Sequence, residues 1–187
     1  MASVILYLAV IVLFIIVIWQ KNKLNEQLVR NIELEKWHRI AFTDDLTGLS
    51  NRMAYSEHIR EIKARKSSGA NLAIILFDID NFKQINDTQG HLEGDRILKE
   101  CARMLQEIFE DSDSCVYRIG GDEFAVVFED IQEEYIINAL LDIKKYEEKT
   151  RSFRVSKGYS LAQGKKDFRE MFYYADEMLY ADKKSKK

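Results

Sequence analysis

The chain has 187 residues, of which 47% are hydrophobic; this is enough for one domain with a proper core plus a modest extension, and too little for two full domains. A formal net charge of -3 supplies no overall basic field, so a diffuse grip on a nucleic-acid polymer is excluded, and any nucleotide must be met by locally placed residues. Cys101 and Cys115 show neither metal-ligand spacing nor a secreted disulfide pattern and read as buried, reduced thiols.

Residues Ala2 to Trp19 are uncharged and almost wholly apolar, and as a helix rising about 1.5 Å per residue they would reach about 27 Å, enough for a bilayer core. No basic segment precedes the run, and Trp19-Gln20-Lys21 offers no small-residue cleavage site, so an uncleaved anchor over residues 1–19 is expected rather than a signal peptide. Lys21, Lys23 and Arg30 follow it while no lysine or arginine comes before, which predicts a single-pass protein of the inner (plasma) membrane with its remainder in the cytoplasm. Residues 20–41 lack glycine and proline and place Leu24, Leu28, Ile32 and Trp37 at near-helical spacing. They read as a helical stalk, either a short parallel coiled coil that pairs two chains or a solvated single helix.

Residues 42–187 form the globular part. Asp44 and Asp45 precede a turn at Leu46-Thr47-Gly48-Leu49, and Asn51 is placed to cap a helix running to about Lys66, which Ser67-Ser68-Gly69 ends. Leu72 to Phe77 is an apolar run too short for a typical helix, bounded by Gly69 and Asp78, and reads as a central strand buried on both faces. Gly90 and Gly94 punctuate the following loop; Ile97, Leu98, Cys101, Met104, Leu105 and Ile108 then keep helical spacing. Cys115–Ile119 and Phe124–Phe128 read as two strands of a hairpin whose turn, Gly120-Gly121-Asp122-Glu123, permits positive φ and leaves the backbone bare. A helix through Ile136, Ile137, Leu140, Leu141 and Ile143, a strand from Phe153 to Ser160, and a last helix through Phe168, Met171, Phe172, Ala175 and Leu179 complete the chain. This order suits an α/β (α+β) domain with a mixed central sheet and packed helices.

The strand end and the hairpin turn together offer Asp78, Asp80, Asp122 and Glu123. Hard oxygen ligands of this kind favour Mg²⁺ or Mn²⁺, with substrate phosphates filling the remaining coordination places. An isolated Gly-Gly-Asp-Glu would equally be a solvated turn, but this one has company. Arg118-Ile119-Gly120-Gly121-Asp122-Glu123-Phe124 resembles the signature of the GGDEF family of diguanylate cyclases. Asp44-Asp45-Leu46-Thr47-Gly48-Leu49-Ser50-Asn51-Arg52 resembles the family's opening motif; Phe77-Asp78-Ile79-Asp80-Asn81-Phe82-Lys83, with Ile85-Asn86-Asp87, its metal and base loop; Gly90-His91-Leu92-Glu93-Gly94-Asp95 the segment after it; and Ala175-Asp176-Glu177-Met178-Leu179-Tyr180 its final helix.

The resemblance implies a nucleotide-cyclase, palm-like fold and a membrane-anchored enzyme that condenses two GTP molecules into cyclic di-GMP. It implies metal binding by Asp78, the carbonyl of Ile79, Asp122 and Glu123, with Asp122 and Glu123 as the catalytic carboxylates. Asn86 and Asp95 are similar to the pair that reads the guanine edge, where an acceptor suits the guanine N1 and N2 donors and leaves adenine unpaired. Gly120, Gly121, Phe82, Lys83, Lys183 and Lys187 would meet the phosphates. Each protomer would hold one GTP, so a homodimer is implied. The family's inhibitory motif, Arg-x-x-Asp, would fall on positions 111 and 114, where this chain has Asp111 and Ser114, so no inhibitory site is expected. Lys157 at an apolar strand position and Asp182 in place of the usual alanine also depart from the pattern. The alternative is a non-catalytic domain that binds GTP or cyclic di-GMP and regulates a partner.

Overall fold

A computed structural model describes the chain except residues 66–70, 111, 113, 164–166 and 187, and except the side chains of 2–7, 9, 10, 12 and 163. It divides into two compact units, Met1–Ala41 and Phe42–Lys187.

The first unit is built from one helix, α1 (Ala2–Phe42), which runs without a break from the apolar segment into the charged one. Leu24, Leu28, Ile32 and Trp37 are all exposed on it. Among the described residues, no helix is long and apolar enough to cross a membrane. The expected anchor over 1–19, and with it the placement at the inner membrane, is therefore corrected. The apolar run from Ala2 to Trp19 is shorter than the roughly 20 predominantly apolar residues that a bilayer core asks of a helix.

The second unit is a five-stranded mixed sheet in the order β1-β3-β4-β2-β5 with helices on both faces. Its strands are β1 (Ser50–Asn51), β2 (Asn71–Ile79), β3 (Ser114–Arg118), β4 (Glu123–Glu129) and β5 (Val155–Gln163). Its helices are α2 (Arg52–Ala64), α3 (Phe82–Gln89), α4 (His91–Phe109), α5 (Glu133–Thr150) and α6 (Phe168–Ser185). The apolar run of β2 fills the middle of the sheet, antiparallel to β4 on one side and β5 on the other. Successive side chains of a strand point to opposite faces. Ala73, Ile75, Phe77 and Ile79 accordingly pack with α4 and α5, while Ile74 and Leu76 pack with α2 and α6.

Asn51 caps α2 as its position suggests, its side chain accepting from the amides of Met53 and Ala54. The expected end of that helix at Lys66 and its breaker at 67–69 lie outside the described residues. Between β2 and α4 the sequence suggests a loop, but α3 forms there, and Gly94 lies inside α4. A Cβ on Gly94 would stand 2.0 Å from Asn86 Oδ1, so the glycine is the seat on which α3 packs against α4. Gly158 acts alike in β5: a Cβ there would meet the Ala175 carbonyl at 2.1 Å and the Leu179 amide at 2.3 Å, so glycine admits the α6 backbone against the sheet. Both cysteines are free; Cys101 is buried as expected, whereas Cys115 is exposed. The two-residue β1 reaches only Tyr117 and Arg118 of β3 and leaves the Cys115 end of that strand without a partner from β1.

Candidate active site

The sheet register brings the acidic residues together. Asp78, near the end of β2, lies directly opposite Glu123, the first residue of β4, and the Ile79 amide donates to the Asp122 carbonyl at 3.2 Å. Asp78 is only 7% exposed. Burial pushes its pKa up, and the nearby Asp122 and Asp80 carboxylates push it further, against the Lys183 ammonium. Asp78 Oδ1 and Asp80 Oδ2 are buried and accept no well-aligned hydrogen bond. They face ammonium groups instead: Lys183 Nζ is 2.6 Å from Asp78 Oδ1, and Lys186 Nζ is 3.3 Å from Asp80 Oδ2.

Such a centre fits a hard divalent cation, because its buried oxygens are negative, incompletely satisfied and already drawing in positive charge. Side chains alone do not complete a cage. Among the described residues, no group of three or more His, Cys, Asp or Glu side chains is placed to hold a metal ion. The remaining places would fall to backbone and phosphate oxygens, as is usual for magnesium.

The hairpin turn is held from two directions. The Ile119 and Gly120 amides both donate to the Glu123 carbonyl, at 2.9 and 3.3 Å. Neither Gly120 nor Gly121 takes the positive φ expected of them; among the described glycines, that conformation belongs to Gly48 and Gly90. Gly120 is needed for close approach instead, since a Cβ there would stand 2.3 Å from Glu123 Oε2, while Gly121 faces open space. The Glu123 carboxylate is thus folded back over Gly120.

From outside, Arg118 donates to the Gly121 carbonyl through Nε and NH2, at 3.2 and 2.8 Å, and through NH1 to both Asp44 oxygens, at 3.0 and 3.1 Å. Asp44 also accepts from the Thr47 amide and hydroxyl. Burial alone would raise the Asp44 pKa, but the Thr47 and Arg118 hydrogen bonds outweigh it and hold the carboxyl below its ordinary value. This clamp ties the opening motif to the turn. Motif matching quotes Arg118 and Asp44 without giving either a task; the available signal was one arginine and one aspartate, each beside a glycine turn.

Asn86 is brought against Gly94, the residue before Asp95, and Asn86 and Asp95 are both half-buried. The Phe82 ring packs on the apolar core beside Gly94, which leaves only its backbone amide for a phosphate. Lys83 is exposed on α3. Lys183 reaches the acidic centre from α6, whereas Lys187 lies outside the described residues, as does Asp111. Lys186, which sequence reasoning passed over, makes the contacts next to it: its ammonium meets Asp182 Oδ2 at 2.9 Å and donates to the Val155 carbonyl at 2.7 Å.

The profile of the diguanylate cyclase GGDEF domain matches residues 41–187. The chain belongs to the GGDEF family. As a family member it resembles the diguanylate cyclase DgcN of Escherichia coli K12, 42% identical over 113 residues that cover 54% of this chain and 28% of that protein. It also resembles the probable diguanylate cyclase DgcI of the same strain, at 34% identity over 153 residues covering 82% of this chain and 34% of DgcI. This GGDEF chain therefore spans about a third of the length of the curated relatives it matches. Among solved structures, the coiled coil and GGDEF domain of Caulobacter crescentus DgcB in complex with c-di-GMP superposes with a TM-score of 0.78 at 25% identity, covering 88% of this chain and 92% of that one. GGDEF domains bind GTP and c-di-GMP, often act as dimers, and diguanylate cyclases of this family generally use divalent metal ions.

Proposed function

We propose that the chain is a diguanylate cyclase that joins two GTP molecules into cyclic di-GMP and releases two diphosphates. What supports this reading above all is the nearness of the Asp78, Asp80 and Asp122 carboxylates, with buried oxygens of Asp78 and Asp80 left short of hydrogen bonds.

Asp78, the Ile79 carbonyl, Asp122 and Glu123 would hold Mg²⁺ or Mn²⁺, which when bound polarises the α-phosphoryl group and steadies the leaving oxygens. The chain's own residues orient and neutralise. Asn86 and Asp95 present a carbonyl and a carboxylate to the donors of the guanine edge, and adenine would leave them unpaired. Lys183, already held at the centre by Asp78, turns its positive charge towards the triphosphate. Gly121 leaves open space through which a nucleotide approaches the turn backbone, with Gly120 beneath the Glu123 carboxylate. Asp122 takes the proton of the attacking 3′-hydroxyl. Catalysis on these terms is chiefly positioning and electrostatics.

One domain holds one GTP, so two copies must face each other, and pairing along the stalk of residues 20–41 would raise their effective concentration. Incubating the full chain with GTP and Mg²⁺ should yield cyclic di-GMP at a rate per protomer that rises with protein concentration. Binding of GTP with no product at any concentration would transfer the reading to a non-catalytic nucleotide receptor.

A further inference from the structure

Beside the metal loop lies a cavity of about 1030 Å³. Asp80 and Asn81 line it, while Asp78, Asp122 and Lys183 do not. Its ionic lining falls into two groups. In the first group two lysines are spent on three carboxylates: Lys157 faces Glu147 at 3.6 Å, and Lys186 lies between Asp182 and Asp80. Two of these carboxylates are further occupied by backbone, since Glu147 Oε1 accepts from the Val155 amide at 2.6 Å and Asp182 Oδ2 from the Lys157 amide at 3.0 Å.

In the second group positive charge is in excess. Lys144, Arg151 and Arg154 are exposed and, among the described residues, have no acidic partner, and Glu148 alone stands against them. Two of the three cations start from fixed backbone. Arg151 is the left-handed C-cap of α5, with φ 54° and its amide bonded to the Glu147 carbonyl. The Arg154 carbonyl accepts from the Asp80 amide at 2.9 Å, so the residue that fastens the metal loop also sends its guanidinium to the cavity.

We propose that this cavity is an anion vestibule that holds inorganic diphosphate beside the metal loop. Guanidinium forks match phosphate oxygens in geometry, and the volume accommodates such an anion with its water shell. The assignment of diphosphate as the product rests on the cyclase reading, in which this anion leaves the α-phosphorus at the acidic centre. The vestibule takes it up through charges that the protein has not already spent on its own carboxylates.

Calorimetric titration of the full chain with sodium pyrophosphate, without GTP or divalent cation, tests the site independently of turnover. The double variant Arg151→Gln/Arg154→Gln should bind diphosphate at least about tenfold more weakly than the unaltered chain, as expected for losing charge-assisted hydrogen bonds. Lys99→Gln/Arg103→Gln, which removes the same charge from α4, should not change it. Equal affinity in the Arg151/Arg154 variant, an equal loss in the α4 variant, or no binding by the unaltered chain would each overturn the proposal. So would a variant that loses affinity for cyclic di-GMP while keeping it for diphosphate. If the expected loss is seen in a chain that makes no cyclic di-GMP from GTP, the cyclase reading fails and the anion site stands.

Discussion

Asp44 and Asp78 carry the same carboxylate into opposite settings within one domain. Asp44 has a full set of donors in Thr47 and Arg118 and is held below its ordinary pKa of 3.8. Asp78 is more deeply buried, keeps company with Asp122 and Asp80, and is held above that value despite Lys183. A satisfied carboxylate fixes structure; a buried and under-satisfied one is stored for a ligand that brings positive charge. The contrast separates a clamp from a reaction centre.

The largest effect should come from emptying the second setting. Asp122→Ala or Asp78→Ala should lower the rate of cyclic di-GMP formation at least about 100-fold while the fold survives, the scale usual for removing a group aimed at transition-state charge. A circular dichroism spectrum like that of the unaltered chain, beside near-normal turnover, would remove these residues from the centre.

The first setting should answer in stability. Asp44→Ala leaves Arg118 and the Thr47 hydroxyl without their acceptor and should cost about 2 kcal/mol in denaturant unfolding. The two aspartates also carry opposite pH signatures. Folded Asp44 binds a proton less readily than unfolded Asp44, so its contribution is present above about pH 3.8 and is lost as pH falls through the lower folded value. Folded Asp78 binds one more readily, so its contribution is full below about pH 3.8 and is lost as pH rises through the higher folded value. An acid titration of stability should therefore flatten in the Asp44 variant.

The smallest change should be one of choice rather than rate. Asp95→Ser removes the carboxylate offered to the guanine N1 and N2 donors and should narrow the preference for GTP over ATP by about tenfold or more, read as the ratio of kcat/KM values. Unchanged selectivity would take Asp95 out of the base pocket.

Sequence patterning carried the succession of elements apart from β1 and α3, the cap at Asn51 and the doubly buried β2, because apolar runs and capping side chains act over a few residues. It also marked the acidic pair, since Asp78 and Asp122 lie in motifs with a recognisable order. It did not carry what depends on a third element. Gly94 reads as a loop signal until Asn86 is seen against it, and Gly158 reads as an ordinary strand glycine until α6 arrives over it. The turn glycines suggested unusual φ angles, but Gly120 serves the folded-back Glu123 carboxylate instead. Lys186 offered only its i,i+4 spacing from Asp182; the fold is needed to show it bridging Asp182 and Asp80. The apolar run at the start suggested an anchor, but among the described residues no helix is long and apolar enough to cross a membrane.

Thermal unfolding of the full chain and of Asp78→Asn, each with and without Mg²⁺, tests the central claim most directly. Without cation the variant should unfold at a higher temperature than the unaltered chain, because it removes a buried charge held at a cost. Added Mg²⁺ should stabilise the unaltered chain and leave the variant unmoved. A variant that is less stable without cation, and as responsive to Mg²⁺ as its parent, would contradict the account.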